Sequence, residues 1–401
     1  MPRAIIVGSG VAGPAIAQFL HRVGWQTEIY EARTQPDRYQ GLFLNVGTNG
    51  LAVLESLGLR DRLLTDGHRA SRMLMWSGTG KELGAVPNGP AGQPERGSVI
   101  VRREWLQQVV REGAEAAGIP IEYGSRLESI SQHPGRAVAT FTDGRVVEGD
   151  ILIGCDGIGS PTRSHIDPAA PAPIYSGLVG LGGFAHVPGL TATPDTQHFV
   201  FGSRSFFGYL VRTDGTVYWF ANVTEPNPPT GSKTQGADTD WLARLTDLHA
   251  ADPFPVPQIL AGNEHPLRGY PIYDLPHVPH WSRRNVVAVG DAVHAVSPSA
   301  GQGASLALED AAVLARLLRD EPTYPAAFAT YQRERQPRAE KIVKYARAID
   351  SRKRVTKSRI GIAIRDAMMP MFLRKAANNH RNDWLYNYRA GWEQQADNTV
   401  G

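Results

Sequence analysis

The N-terminal segment constrains the fold more than any other part of the sequence. A short apolar run at residues 4–7 leads into the sequence GSGVAG at residues 8–13, and a helix-like run follows. Such an apolar run is typical of a strand buried on both faces of a parallel sheet. Gly8 permits a tight turn, Gly10 lets the backbone approach a pyrophosphate, and Gly13 allows the helix to pack closely on the strand. The segment therefore predicts a strand–turn–helix unit that binds a dinucleotide.

A second strand with an acidic end supports this interpretation. Residues 26–30 form the predicted strand, and Glu31 follows it, 18 residues past Gly13. A carboxylate at this distance is placed to accept hydrogen bonds from a ribose diol. The N-terminus of the intervening helix offers N–H groups and a partial positive charge to the phosphates. A GxGxxG pattern alone is weak evidence, but together with the strands, the helix and the acid it indicates nucleotide binding.

The chain does not continue as an NAD-binding domain would. That domain would add about four more alternating strands and helices. Here a helix predicted over 48–57 and the segment 72–76 are followed by a glycine- and proline-rich stretch over 78–97. No second GxGxxG follows a strand further along. The sequence thus predicts one firmly held dinucleotide and no separate domain for another.

Two later apolar strands end in glycine and aspartate. The first, at 150–154, runs into Cys155, Asp156 and Gly157, and projects a carboxylate from its end. The second, at 285–289, runs into Gly290-Asp291, and a glycine turn then delivers the chain into a helix predicted over 304–318. The N-terminus of that helix is placed to face a ligand that gains negative charge.

With these motifs the sequence resembles the flavin-dependent aromatic hydroxylases of the p-hydroxybenzoate hydroxylase type, the single-component FAD monooxygenases. The resemblance rests on the fingerprint with Glu31, an Arg-x-x-Leu at 103–106, the Asp156-Gly157 motif, and the Gly290-Asp291 motif with Pro298. It implies an α/β fold in which a discontinuous Rossmann-like FAD-binding domain is joined by a β-sheet substrate domain and C-terminal helices.

The resemblance also implies roles for individual residues in binding FAD non-covalently. Glu31 is expected to hold the adenosine ribose, and Arg103 to approach the phosphate or ribose region. Asp156 is expected in a loop near FAD that takes part in handling the reductant. Asp291 is expected to bond the ribityl chain, and residues 301–304 to line the pyrimidine end of the flavin ring. The candidate cofactor-binding residues are Gly8, Gly10, Val11, Ala12, Gly13, Glu31, Arg33, Arg103, Leu127, Asp156, Asp291, Pro298, Gly301, Gln302, Gly303 and Ala304.

The family's reaction follows as an implication. NADPH or NADH reduces FAD as a transient reductant, O₂ adds at flavin C4a, and the hydroperoxide transfers one oxygen atom to a bound substrate. The flavin itself accepts the electrons and activates O₂, so no metal is expected. Backbone N–H groups at the start of the 304–318 helix are expected to stabilise the negative charge of reduced flavin by roughly 0.3–1 kcal/mol. Water must be excluded, because it would waste the activated oxygen.

The middle of the chain is expected to supply the substrate site. Strands are predicted over 197–201, 206–212 and 216–223, with an Asp214-Gly215 hairpin between the last two. In the family, one face of such a sheet covers the substrate cavity, and the candidate lining residues are Tyr209, Tyr218 and Phe220; the alternative for the two tyrosines is an ordinary place in the sheet. The many aromatic residues favour hydroxylation or epoxidation of a hydrophobic aromatic or polycyclic molecule, in secondary metabolism or aromatic catabolism.

His294 raises a different possibility, because Asp291 and Ser297 lie near it and a Ser-His-Asp triad needs these three residue types. No G-x-S-x-G elbow is present, and residues so close in sequence rarely form such a triad. The resemblance instead implies that His294 packs near the flavin loop.

Composition limits the other partners. A net charge of +3 is too small to predict a nucleic-acid partner, and the basic stretch 333–381 carries apolar residues at the spacing of surface helices with one solvated face. The single cysteine, Cys155, excludes an intramolecular disulfide and leaves too few thiols for a metal cluster. No run of about 18 apolar residues predicts a membrane span. With no secretory pattern at the start, we expect a cytoplasmic protein whose partners are O₂ and a small hydrophobic substrate.

Two alternatives to a monooxygenase stay open. One is an FAD-dependent reductase or dehydrogenase of the geranylgeranyl reductase type, and the other is a flavin- or substrate-holding protein without turnover. The substrate, the choice between NADPH and NADH, and the oligomeric state are also open. The predicted organisation is an FAD-binding domain at 1–72, 98–170 and 275–340, a substrate domain at 73–97 and 171–274, and a helical segment at 341–401.

Overall fold

The described residues of the computed structural model form two large sheets, two small sheets and long C-terminal helices. Within the part of the chain that is described, no helix is long and apolar enough to cross a membrane. The described residues are 1–36, 42–229, 240–353, 359–377 and 379–393.

A six-stranded sheet carries the N-terminal motif. Its first strand pairs in parallel with two neighbours, and the outer strands extend the parallel order except at one antiparallel edge. In spatial order its strands are Ser282–Arg283 (β18), Val286–Ala288 (β19), Ile151–Gly154 (β12), Arg3–Val7 (β1), Gln26–Glu31 (β2) and Ile121–Tyr123 (β8).

The register of this sheet aligns the ends of its central strands. Val7 of β1 lies opposite Tyr30 of β2 and Gly154 of β12, and Gly154 in turn lies opposite Ala288 of β19. The residues that follow these four strands therefore emerge at the same carboxyl edge. In open parallel sheets this edge is where ligands bind.

The helix after β1 packs closely against the sheet. A Cβ added to Gly13 would lie 2.0 Å from the Gly8 carbonyl oxygen, so Gly13 allows the close packing that the motif predicts. The helix also packs on the long helix Gly303–Asp320, and both contribute to the hydrophobic core that contains the six-stranded sheet. The predicted helices over 48–57 and 304–318 are present as Thr48–Leu57 and Gly303–Asp320.

The second large sheet has seven strands, and all pairings are antiparallel except that of Arg72–Ser77 with Thr196–Phe201. The predicted Asp214-Gly215 hairpin joins Phe206–Val211 to Thr216–Thr224, with Gly215 in the left-handed region at φ +84°. In spatial order its strands are Tyr270–Asp274 (β17), Ile174–His186 (β13), Thr216–Thr224 (β16), Phe206–Val211 (β15), Thr196–Phe201 (β14), Arg72–Ser77 (β5) and Glu82–Pro87 (β6).

One face of the seven-stranded sheet is covered by two helices. Phe207 stacks on Trp219 with ring centroids 5.5 Å apart, and Leu245 and Ile259 of the covering helices join the same core. Because side chains alternate along a strand, Phe220 and Asn222 lie on the other face. The division into an FAD-binding and a substrate domain stays a prediction.

The remaining strands form two antiparallel three-stranded sheets. These consist of Phe43–Val46 (β3), Ser98–Arg102 (β7) and His68–Ala70 (β4), and of Val146–Gly149 (β11), Arg136–Phe141 (β10) and Leu127–His133 (β9). The α-helices are Ala12–Arg22, Thr48–Leu57, Arg60–Leu64, Arg103–Ala116, Pro161–Ile166, Trp241–His249, Val256–Ala261, Asp291–His294, Gly303–Asp320, Tyr324–Lys353, Arg359–Ala377 and Asp383–Tyr386. Short 3₁₀ turns occupy Pro94–Arg96, Pro298–Ala300 and His380–Asn382.

Candidate functional site

A cavity of about 1770 Å³ opens at the carboxyl edge of the six-stranded sheet and extends to the uncovered face of the seven-stranded sheet. Pockets for a single small ligand have about 300–1,000 Å³. The cavity is therefore large enough for a dinucleotide and a second molecule. Because its lining comes from both large sheets, the two molecules can meet between them.

Nearly all the candidate cofactor residues line this cavity, and Gly13 is the exception because it lies in the helix–strand contact behind it. Residues far apart in sequence are brought together by the strand register described above. The candidates that line the cavity are Gly8, Gly10, Val11, Ala12, Glu31, Arg33, Arg103, Leu127, Asp156, Asp291, Pro298, Gly301, Gln302, Gly303 and Ala304.

The carboxylate of Glu31 is fixed at the end of β2. Its Oε2 accepts a hydrogen bond from the Ser9 backbone N–H at 2.8 Å, and its Oε1 accepts one from the Arg33 N–H at 3.0 Å. The first bond ties the acid to the glycine turn after β1. Each oxygen keeps a lone pair for a further donor, which is what binding a ribose diol requires.

Two helix N-termini face the cavity without a side-chain cap. The Ala12–Arg22 helix begins at the glycine turn, and the Gly303–Asp320 helix begins beside Gly301 and Gln302. Neither has a capping side-chain hydrogen bond or an acidic residue in its first turn. Unsatisfied N–H groups and the partial positive charge of a helix start suit a phosphate or another anion. These residues fit a dinucleotide with a pyrophosphate in the middle and an electron-accepting ring at one end.

An amide pair that the sequence did not reveal supports the turn at Gly301. Asn45 donates from Nδ2 to the Gly301 carbonyl at 3.2 Å, and its Oδ1 accepts from Asn88 Nδ2 at 2.9 Å. Gly301 has a left-handed φ of +60°. Nothing in the local sequence marks Asn45, because its role depends on contact with a residue 256 positions away.

A buried ionic cluster holds the Gly290-Asp291 turn. Asp310 accepts from the Gly290 N–H at 3.1 Å and from His294 Nε2 through Oδ2, and its Oδ1 accepts from Arg335 Nε at 2.7 Å. Despite burial, the charges of His294 and Arg335 lower the pKa of Asp310 to about 2. The Asp310 carboxylate raises the pKa of His294 although burial opposes this. His294 thus pairs with Asp310, while Ser297 donates to Asp350, so these residues form no Ser-His-Asp triad.

The Asp156 loop is also well ordered by hydrogen bonds. Asp156 Oδ2 accepts from the Thr162 N–H at 2.9 Å, and Ser160 caps the helix that follows. Burial raises the pKa of Asp156 and raises that of the neighbouring Cys155 thiol well above its ordinary value. The thiol therefore stays protonated, which fits non-covalent binding of the cofactor.

The far end of the cavity is lined mainly by aromatic and apolar side chains. Phe220 lines it as predicted from the sequence, whereas Tyr209 and Tyr218 lie outside its lining. Tyr209 points to the covered face of the sheet, where it stacks on His198 at 4.6 Å. Tyr218 shares the face of Phe220 but packs on Phe184. The apolar residues at this end of the cavity are Met73, Met75, Phe199, Phe201, Phe206, Phe220, Ile272, Met368, Met369 and Phe372.

The basic stretch 333–381 is only in part the solvated surface that its pattern predicts. Lys341 and Lys344 are exposed, but Arg335 is fully buried between Glu309 and Asp310. Lys353 lines the cavity. The positions of these two side chains depend on partners supplied by other elements, which a local pattern does not show.

The sheet, its carboxyl-edge cavity and the two uncapped helix starts define a dinucleotide-binding flavoprotein fold. The family model described as FAD binding domain matches residues 2–346, and the chain belongs to this family. It is 29% identical over 342 residues to aurachin C monooxygenase/isomerase from Stigmatella aurantiaca, which covers 84% of this chain and 86% of the relative. It is 30% identical over 354 residues to FAD-dependent urate hydroxylase from Mycolicibacterium vanbaalenii, and this match covers 86% of this chain and 87% of the relative.

A solved structure gives the same fold. The crystal structure of Klebsiella pneumoniae HpxO complexed with FAD and uric acid matches with a TM-score of 0.81 at 22% identity, over 94% of this chain and 96% of that one. The family and the named relatives confirm the predicted resemblance, the α/β fold and FAD as cofactor. The chain is an FAD-dependent monooxygenase.

Proposed function

We propose that this enzyme uses NADPH or NADH and O₂ to insert one oxygen atom into a hydrophobic aromatic or polycyclic molecule, by hydroxylation or epoxidation. The observation that carries the proposal is the single continuous cavity, with the glycine turn and Glu31 at one end and phenylalanine and methionine side chains at the other. Apolar walls favour a ring system over a small polar acid. The names of the two relatives, a monooxygenase/isomerase and a hydroxylase, agree with oxygen insertion.

The candidate residues divide between holding FAD and protecting the reaction. FAD, when bound, accepts hydride from the nicotinamide and activates O₂. Glu31 would hold the adenosine ribose, and the start of the Ala12–Arg22 helix the pyrophosphate. Asp291 would hold the ribityl chain, and the start of the Gly303–Asp320 helix would stabilise negative charge on the ring. The apolar far end excludes water and positions the substrate ring.

The experiment is a substrate screen on FAD-loaded protein. Aromatic and polycyclic compounds are tested for acceleration of NADPH or NADH oxidation, and products are analysed by mass spectrometry under ¹⁸O₂. One labelled oxygen atom in a product supports the proposal. Anaerobic turnover without oxygen insertion would favour the reductase alternative, and FAD retention without substrate-dependent oxidation across the panel would favour the holding protein.

A cytoplasmic location belongs to the same proposal. The support is that Cys155 is the single cysteine of the sequence, so no intramolecular disulfide can form. A protein made for an oxidising compartment more often carries paired cysteines. Fractionation of the source cells with an antibody to the protein tests this point, and recovery outside the cytoplasm would overturn it.

A further inference from the structure

A lysine that the family motifs do not include lies in the aromatic end of the cavity. Lys353 is the final residue of the Tyr324–Lys353 helix and lines the cavity beside the Pro298–Ala300 turn. Its Nζ donates to Asn222 Oδ1 and to Ser299 Oγ, both at 3.0 Å. A cation therefore lies at the aromatic end of the cavity, next to the turn that leads to the flavin end of the site.

Two phenylalanine rings frame the same ammonium group. Nζ lies 4.4 Å from the ring centroid of Phe206 and 5.4 Å from that of Phe220. Contacts of this kind stabilise a cation and fix its position, but they do not neutralise its charge. The two rings also form the wall against which a substrate ring would lie.

The carboxylate of Asp350 is connected to Lys353 through one serine hydroxyl. Asp350, one turn earlier on the helix, is buried, and its Oδ1 accepts from Ser299 Oγ at 2.6 Å and from Ser297 Oγ at 3.0 Å. Ser299 thus stands between the carboxylate and the ammonium group. Within the described ranges Lys353 has no direct ion pair with an acid.

An ammonium group has three N–H donors, and two of them are used here. Within the described ranges the third has no protein acceptor, although it borders the cavity. A partly buried cation with an unused donor is costly unless something pairs with it. Nζ therefore offers a donor at the cavity wall to a ligand atom that accepts a hydrogen bond and carries or gains negative charge.

We propose that Lys353 is the residue that selects the substrate, by binding one acidic hydroxyl oxygen, phenolic or enolic, on the substrate ring. The proposal rests on the function proposed above and adds its substrate class. One free donor suits one oxygen atom, whereas a carboxylate suits the two-pronged guanidinium of an arginine. Held by Lys353, the ring lies on Phe206 and Phe220 and faces the Pro298–Ala300 turn.

The protonation chemistry agrees with this geometry. Burial lowers the pKa of Lys353 to about 8, and the charge of Asp350 opposes the shift. The other elements that contact Nζ contribute the neutral Asn222 and Ser299, while Arg352 and Arg365 line the same cavity. Near pH 8 the neutral amine can take the hydroxyl proton: the O–H bond breaks, an N–H bond forms, and the electron pair stays on the ring oxygen.

The experiment measures binding to the oxidised, FAD-loaded enzyme by the change in flavin absorbance at pH 8. The probes are matched sets: 2-naphthol, 2-methoxynaphthalene and 2-naphthoate, and 8-hydroxyquinoline with its methyl ether. We expect the hydroxyl compound of a set to bind about 10- to 100-fold more tightly than its ether, as a hydrogen bond to a charged group allows. If the amine takes the hydroxyl proton, 2-naphthol bound to the wild-type enzyme should show the absorption band of the naphtholate anion. Lys353→Met should abolish both this band and the preference for the hydroxyl compound.

Control variants separate selection from a structural role. Lys344→Met removes an exposed lysine of the same helix and should leave the preference unchanged. Lys353→Gln can keep hydrogen bonds to Asn222 and Ser299 without the charge, so it serves if the methionine variant fails to fold. Each preparation is checked for bound FAD.

The results that overturn the inference differ from those that overturn the proposed function. An enzyme that binds FAD and inserts oxygen, yet prefers no hydroxyl compound to its ether, refutes the role of Lys353 alone. The same holds if Lys353→Met keeps the preference, or if 2-naphthoate binds more tightly than 2-naphthol. Failure to insert oxygen into any compound would instead count against the monooxygenase proposal.

Discussion

Asp310 is the residue whose replacement tests the structural argument most directly. Its fully buried carboxylate accepts hydrogen bonds from Gly290 and His294, at the two ends of the Asp291–His294 helix, and from Arg335 of the Tyr324–Lys353 helix. Asp310→Asn keeps the size of the side chain but removes the charge and places an amide donor among these donors. We expect a large loss of stability and a disturbed Gly290-Asp291 turn.

Two estimates of the magnitude agree. Lowering the pKa of Asp310 from 3.8 to about 2 corresponds to roughly 2–3 kcal/mol in favour of the charged form. Removing one partner of a buried ion pair costs about 3–5 kcal/mol, because the other charge is left buried and unpaired. Arg335 keeps its contact with Glu309 at 2.6 Å, so we expect the lower end, about 3 kcal/mol.

The assay is chemical denaturation of the FAD-saturated protein, followed by tryptophan fluorescence. Glu148→Gln is the control, because its ion pair with Arg136 is exposed and should contribute about 0–1 kcal/mol. A loss for Asp310→Asn no larger than that of the control would refute the reasoning about the buried cluster.

Asp310 and His294 contribute to the stability of the fold with opposite dependence on pH. Because the pKa of Asp310 is depressed in the folded state, its carboxylate stabilises the fold above about pH 4, and this is lost as the pH falls towards 2. Because the pKa of His294 is raised, its contribution is complete below pH 6.5 and is lost as the pH rises through the folded-state pKa. The difference between wild type and Asp310→Asn should therefore be largest between these limits.

Three further predictions concern the cofactor end of the cavity. Gly13→Ala should destabilise the fold by about 3 kcal/mol or more in thermal denaturation, since its Cβ would lie 2.0 Å from the Gly8 oxygen; Gly10→Ala, with nothing within 4 Å of the added Cβ, should fold normally but bind FAD more weakly. Glu31→Ala should weaken FAD in titrations of apoprotein without changing substrate preference, and an altered preference would contradict its place at the ribose. Asp291→Ala should lose FAD and activity together, and full flavin retention by absorbance would count against its role.

The local motifs were predictable because each depends on a few consecutive residues. A buried strand, a turn that needs glycine and a helix that starts there are all determined by about a dozen consecutive residues. The helix over 48–57 and the hairpin at Asp214-Gly215 were found for the same reason. The resemblance to flavin hydroxylases rested on several such motifs in order, and the family match confirms it.

The aromatic end of the cavity was less predictable, because alternation along a strand gives the face of a side chain but not its neighbours. Tyr218 and Phe220 share a face of β16, yet Phe220 lines the cavity while Tyr218 packs on Phe43 and Phe184. Which of the two meets the cavity depends on where another sheet covers the strand.

The sequence by itself determined the dinucleotide-binding unit, its acidic residue and the order of the later Gly-Asp turns, since short-range geometry requires particular residue types there. Only the tertiary structure decided which polar groups from distant parts of the chain meet. Asn45 reaches Gly301, Asp310 reaches Arg335, and Lys353 reaches Asn222 from sequence separations of 256, 25 and 131 residues. A charge away from water is stabilised by partners from distant elements, and the residues next to a charged side chain in the sequence do not show which partners it will meet.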